Sequence, residues 1–342
     1  MSFQILPVEV VDDVVHYLQN SDLVALSTIN SYLYPIAQRW LYREITIDYS
    51  SNNLLVIFTL AQKPHLAHHV RKFSIRLGSL LNSFYCLLRT ALSNMTDLTF
   101  LDVFLDHDAS WIMRTRDDST YHRLEHFASS FHIDHHIVHF LQKANALLEL
   151  EVDSLPPSPA IPSLEPDALP MLSQFTGSSQ AAQYVVPGRP VESIHLNSGD
   201  LTEDVAESLA KSTTHVLILA AATTSHSVSL IGTLTQRMDH LVHLRIVTTF
   251  NFSEPPDAVS IYIPCQSFFF LSHLSSQSYF INISNALRLL PDLKSCEIWG
   301  IHWVTSKNDF HDQGTVWESA PFNQPDENHL DNTLYSDFYF AT

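Results

Sequence analysis

Apolar positions recur at helical spacing through residues 1–47 and then shift to a period of two in short runs along the rest of the chain. Val10, Val11, Val14, Val15 and Leu18 share one helical face, with Asp12, Asp13, His16 and Gln19 on the other. Pro7 stands at the first helical position, where a missing N–H costs nothing. Glu9 falls in the same first turn, where the helix dipole favours a carboxylate. Asn20, Ser21 and Asp22 offer capping side chains to a second helix whose Leu23, Leu26, Ile29 and Leu33 share a face. Pro35 is expected to stop that helix and open a third through Ile36, Arg39, Trp40 and Leu41, after which Ile45 and Ile47 alternate as a strand. These residues read as a compact three-helix module that ends by feeding an extended segment.

Beyond it the pattern apolar-x-x-apolar-x-apolar repeats. It is met by Val70/Phe73/Ile75, Leu98/Leu101/Val103, Leu147/Leu150/Val152, Val191/Ile194/Leu196, Leu241/Leu244/Ile246 and Leu293/Cys296/Ile298, with weaker copies near Leu124, Leu172, Thr214 and Ser267. Starts about 19 to 28 residues apart match the period of strand-and-return repeats. The clearest helical returns are His132–Ala146, Thr202–Lys211 and Ile281–Leu290, the last stopped by Pro291. Asp153–Pro170, rich in proline, spans about one repeat and reads as an extended return, with an interdomain linker as the alternative. Non-repetitive α/β packing is the alternative for the whole region. A last strand at Leu293–Trp299 would leave an apolar edge, so residues 301–322 are expected to fold back as a cap, with an acidic, loosely patterned tail from Asn323.

Composition narrows the function. Eighteen Lys plus Arg against 36 Asp plus Glu give a net charge of −18, which disfavours nucleic acid or an anionic membrane as partner. Only seven glycines, and neither a G-x-x-x-x-G-K nor a G-x-G-x-x-G, disfavour a nucleotide-binding loop. Cys86, Cys265 and Cys296 are odd in number and widely spaced, as expected of reduced thiols in the cytoplasm or nucleus. No secretory signal pattern opens the chain and its apolar runs are too short to span a bilayer. Asn94, Asn251 and Asn282 open N-x-Ser/Thr triplets, read as chance in a chain that is not secreted.

The first 47 residues resemble the F-box, the helical module by which substrate receptors of cullin-type ubiquitin ligases attach to a Skp-family adaptor. The resemblance is carried by Leu6-Pro7-x-Glu9 with Val10 and Val11, by Asp22-Leu23 with Leu26, and by Trp40. It implies adaptor contacts from Leu6, Pro7, Val10, Val11, Leu23 and Leu26, and through the adaptor a cullin. The later repeats resemble the irregular leucine-rich repeats that often follow an F-box. Together they imply an α/β chain: a three-helix F-box over 1–47, a leucine-rich-repeat-like solenoid with a parallel sheet over 48–300, and a cap and tail over 301–342. The implied function is non-catalytic recognition of a protein substrate, with no cofactor.

Candidate chemistry is sparse. FHIDHHIVHF places His132 and His136, or His135 and His139, four apart, a spacing that can bind zinc, but no H-E-x-x-H accompanies it. His132, His136 and His139 share a face with Lys143 and read as the wet side of a return helix, so no metal is expected. Asp106 and Asp108 read as a solvated turn, and no G-x-S-x-G elbow or protease cysteine motif is present. Two rivals stand beside the receptor reading: an α/β hydrolase-like enzyme with a coincidental helical prefix, and an adaptor-bound scaffold with no role in ubiquitination.

Overall fold

The computed structural model describes residues 7–51, 53–78, 80–114, 120–152, 164–224, 228–248, 277–298, 301–306 and 316–320. The chain is mixed α/β and divides into two compact units, Met1–Leu172 and Ser173–Thr342.

The first unit opens with α1 (Val8–Val15), α2 (Asn20–Ile29) and α3 (Leu33–Leu41). Val11 and Val15 from α1, Leu23 from α2, and Leu33 and Ile36 from α3 make a core of their own, flanked by Leu18, Leu26, Tyr32, Trp40 and Leu41. The second helix ends at Ile29, short of Pro35, and Leu33 belongs to the third. The reason is Asn30, whose Oδ1 accepts the N–H groups of Tyr32 and Leu33 at 2.9 and 2.8 Å and so starts α3 early. Pro35 then sits in a first turn that needs no N–H from it. Asp12, expected on the wet face, ties α1 to α3: its Oδ1 accepts Trp40 Nε1–H at 2.6 Å and pairs with Arg39. A hydrogen bond to a charged acceptor contributes about 1.5–3 kcal/mol, enough to matter to so small a core.

Strand and return then alternate. They run β1 (Glu44–Ile47), α4 (Leu55–Gln62), α5 (Pro64–Ala67), β2 (Lys72–Arg76), α6 (Asn82–Asn94), β3 (Phe100–Phe104), a 3-10 helix (His107–Met113), β4 (His126–Ser129), α7 (His135–Leu141) and β5 (Glu149–Val152). Each strand pairs in parallel with the next. In the second unit come β6 (Gln174–Ser178), α8 (Ser179–Val185), β7 (Ser193–Ser198), α9 (Glu203–Leu209), β8 (Ile218–Thr223), α10 (Val228–Arg237), β9 (His243–Thr248), α11 (Gln277–Leu287) and β10 (Ser295–Ile298), with β6 to β10 parallel. Asp134, Ser178 and Thr202 cap α7, α8 and α9 through their side-chain oxygens.

The repeated apolar triplets lie in register. Phe73 pairs with Leu101, Leu101 with Phe127 and Phe127 with Leu150; in the second unit Phe175 pairs with Ile194, Ile194 with Leu219, Leu219 with Leu244 and Leu244 with Cys296. All are buried, as are the triplets' first members from Val70 to Leu293. One copy is corrected: the weak start near Thr214 is Val216, which with Leu219 and Ala221 supplies the inward positions, the small alanine having hidden the pattern. The copy near Ser267 lies outside the described residues, as does 153–163 of the proline-rich stretch. Leu164, Ala168 and Leu169, at its end, are buried.

Backbone groups at the strand starts are satisfied without an asparagine ladder. The carbonyls of Arg43, Arg71, Thr99 and Glu125 each accept two successive N–H groups from the repeat that follows, and Ser173, Glu192, Leu217 and Val242 do the same in the second unit. At the far end β11 (Ile301–Ser306) pairs antiparallel with β10, and β12 (Val316–Ala320) antiparallel with β11. The expected cap is therefore a hairpin that continues the sheet, with Trp303 and Trp317 buried and Ser284 of α11 donating to the Trp317 carbonyl at 2.8 Å. The tail from Asn323 lies outside the described residues.

Two outcomes are expected. Phe127→Ala, which empties a fully buried site packed on Phe140, should cost about 3–5 kcal/mol in urea unfolding, against less than about 0.5 kcal/mol for the exposed Val24→Ala. Deleting 301–342 bares the β10 edge and should cause aggregation, measured by light scattering.

Candidate functional site

The three-helix module turns apolar residues outward as well as inward. Pro7, Val10, Val14 and Tyr17 are spaced by three, four and three residues, which sets them in one stripe along α1 and the turn after it. All are exposed, Val10 by 44%, Val14 by 57% and Tyr17 by 84%. Val8, Val24, Ile29 and Tyr34 of the same module are also exposed.

Among the six residues expected to contact an adaptor, the structure separates two groups. Pro7 and Val10 face solvent, Val11 and Leu23 are core, and Leu26 is half-buried against that core. Leu6 lies outside the described residues. Val14, Tyr17, Val24, Ile29 and Tyr34 were not among the expected contacts. Val14 and Ile29, expected on the apolar faces of their helices, are exposed; for Val14 the sequence carried a signal, because α1 has more valines than one buried stripe of a short helix can take.

A second surface is the face of β1 to β5 turned away from the apolar triplets. Register lines up Glu44, Lys72, Phe100, His126 and Glu149 in one row across it. Lys72 pairs with Glu44 at 3.3 Å, and the His126 ring lies flat on Phe100, their centroids 4.1 Å apart. In the adjoining row Asp102 is nearly buried, takes a hydrogen bond from Ser74 at 3.3 Å and pairs with Arg76 at 3.4 Å, while the Arg76 guanidinium rests on Phe104. His126 joins the rows, with Nε2 3.2 Å from Asp102 and Nδ1 2.8 Å from Glu149. Only the imidazolium can donate from both nitrogens. Burial opposes that charge, but the hydrogen bonds and charges of Asp102 and Glu149 outweigh it and raise the His126 pKa.

The corresponding face of the second unit carries His195, Arg245 and Glu297, with Arg245 Nε 3.2 Å from Glu297. Ser193 Oγ lies 3.0 Å from His195 Nε2, the contact an acyl-transfer enzyme would use. Neither residue lines the hollow at Thr99, His122, Arg123 and Met171 or the one at Ser212, His215 and His240. Of the cysteines, Cys86 and Cys296 are free thiols, with burial pushing that of Cys296 up, and Cys265 lies outside the described residues.

The histidine run lies in a return helix as expected, but the helix is His135–Leu141 and not His132–Ala146, because the Asp134 side chain caps it there; Ile137, Val138, Phe140 and Leu141 are inward, and His132, His136 and His139, expected on the wet face, are half-buried, with His135 exposed. Asp134, His135 and His136 come within ligand distance of one another, but Asp134 is committed elsewhere: Oδ1 caps α7 and Oδ2 accepts Ser110 Oγ–H at 2.5 Å. Asn94, read as a chance glycosylation triplet, donates its amide to the Leu60 and Ala61 carbonyls. No helix among the described residues is long and apolar enough to cross a membrane.

No protein-family model and no curated protein matches this chain. The reading of its surfaces therefore rests on their geometry and on the resemblance of its N-terminal residues.

His126 supplies a pH dependence with a defined sign. Its folded pKa lies above the ordinary 6.5, so its contribution to stability is complete below that value and is lost as pH rises through the folded pKa. Urea midpoints measured between about pH 5 and pH 8 should fall on the alkaline side more steeply for the wild type than for His126→Gln. Parallel profiles would remove His126 from the account.

Proposed function

We propose that the chain is a non-catalytic substrate-recognition subunit of a cullin-type ubiquitin ligase, in which residues 1–47 act as an F-box on a Skp-family adaptor and the strand repeats act as a leucine-rich-repeat-like scaffold for a protein substrate. The observation that carries the reading is the outward stripe Pro7, Val10, Val14 and Tyr17 on a module that already has a complete core. Contiguous apolar surface on a soluble module marks an interaction site, and an amphipathic helix laid in a groove is read by anchors at such spacing. The division of labour among the expected residues follows from burial: Pro7 and Val10 meet the adaptor, while Val11, Leu23 and Leu26 hold the helices that present them.

Supporting the scaffold reading are in-register apolar triplets, strand-start carbonyls that each serve the next repeat, and a closing hairpin. Repeats of this kind bury their faces on their neighbours and leave an extended surface for a partner. The chemistry would be proximity alone. Binding raises the concentration of a substrate beside a ligase that other subunits provide, and no residue of this chain need touch the transferred group.

The test is co-purification. Val10→Asp with Val14→Asp changes two exposed positions, so the circular-dichroism spectrum and melting temperature should hold while recovery of a Skp-family adaptor falls at least about tenfold. Val11→Ala should lose the adaptor by a different route, through melting of the module. Undiminished adaptor recovery with the double aspartate variant, or no adaptor recovered with the wild type, would overturn the assignment.

A further inference from the structure

We propose that His215, Asp239 and His240 form a binding site for a divalent first-row transition ion of the zinc class. One ligand atom from each lies within 4.8 Å of the others, and the two imidazole centroids are 3.9 Å apart. His240 is placed as metal-bound histidines usually are: Nδ1 lies 3.0 Å from Asp292 Oδ2, and in a neutral ring whose N–H points at that carboxylate the Nε2 lone pair is left for an ion. Nε2 in turn stands 4.0 Å from Asp239 Oδ1. Bonds of about 2.0–2.2 Å to a tetrahedral ion put donors about 3.3 Å apart, so short side-chain rotations at these largely exposed positions close the set.

The donors are two imidazoles and one carboxylate. Imidazole nitrogen suits zinc, copper, iron or nickel and excludes magnesium and calcium, which take oxygen. A fourth position is left open. All three side chains line the edge of a hollow of about 290 Å³ that also carries Ser212, Thr213 and Thr214, so water can reach it.

The repeat explains how residues so far apart in sequence converge. His215, His240 and Asp292 each stand immediately before the first apolar residue of a triplet, Val216, Leu241 and Leu293. Stacking of the strands that follow brings these equivalent positions together. The other cluster of this kind among the described residues, Asp134 with His135 and His136, has its carboxylate consumed by capping and by Ser110. Asp239 is not so committed to an N-cap, since it lies beyond the end of α10. The local spacing of a zinc motif is absent, which is why scanning for histidines four apart finds the cluster on α7 and misses this one.

The site is tested by titrating Co²⁺, then Zn²⁺, into the full chain prepared without an affinity tag, with calorimetry and the visible absorption of cobalt as readouts. One saturable equivalent, with the cobalt spectrum lost on adding zinc, is expected. His215→Ala with His240→Ala should abolish it. Asp292→Asn, which leaves every ligand in place, should weaken it about 10- to 100-fold at unchanged stoichiometry, and His135→Ala with His136→Ala should leave it intact. Circular dichroism of each variant separates a lost site from a lost fold. Absence of saturable binding, its survival in the His215/His240 variant, or its loss in the His135/His136 variant would each overturn the proposal.

Discussion

A parallel strand can neither satisfy its backbone nor bury its apolar face until another strand lies beside it, and it reaches that neighbour only through a crossover. In each unit of this protein one interaction meets both needs at once. The carbonyl just before a strand, such as that of Thr99 or Leu217, accepts two consecutive N–H groups from the next repeat, and this fixes the register in which Leu101 meets Phe127 or Leu219 meets Leu244. A slip by one residue would turn every buried side chain to solvent. The arrangement propagates until it is stopped, and after β10 the chain stops it by reversing direction, so that β11 and β12 are antiparallel and Trp303 and Trp317 close the apolar layer.

The same register orders whatever does not face the core. On the first unit's open face it builds the row from Glu44 to Glu149, with Asp102 taken nearly out of solvent by Ser74, Arg76 and His126. Before the strands of the second unit it builds the row His215, His240 and Asp292. Neither row is visible as a local motif, because its members are one repeat apart. Repetition thus does for side-chain chemistry what a compact motif does in other folds: it brings together residues of one type without any of them being adjacent in sequence.

Much of the fold was legible for this reason. Triplets such as Leu98/Leu101/Val103 and Leu241/Leu244/Ile246 combine strand period with a fixed offset to an extra buried residue, and both properties survive in the structure. Where the third apolar residue is small, as at Ala221, or is replaced by Ser129 in β4, the pattern fades although the strand is made. The boundary of α2 was misplaced because proline draws the eye, whereas the deciding group was the Asn30 amide oxygen. The exposed apolar residues of α1, proposed to dock, were half legible. Pattern alone marks Val10, Val11, Val14 and Val15 as apolar but cannot say which stripe of α1 meets Leu33 and Ile36; that follows from Asp12, which pins one side of α1 to Trp40 and Arg39. His126 was not singled out at all, since its partners are contributed by the two neighbouring strands, Phe100 and Asp102 by β3 and Glu149 by β5.

Helix α1 has two apolar stripes, one packed in the module's own core and one exposed, and the exposed stripe is the surface proposed for a partner. Hydrogen exchange of the purified chain with and without a purified Skp-family adaptor tests this most directly, because it reports on α1 in the intact protein without any substitution. The account predicts slowed exchange in residues 8–17 on addition of adaptor, at a saturable one-to-one ratio, with the strand repeats unchanged. Unaltered exchange in α1 at saturating adaptor, or protection confined to the strand repeats, would contradict it.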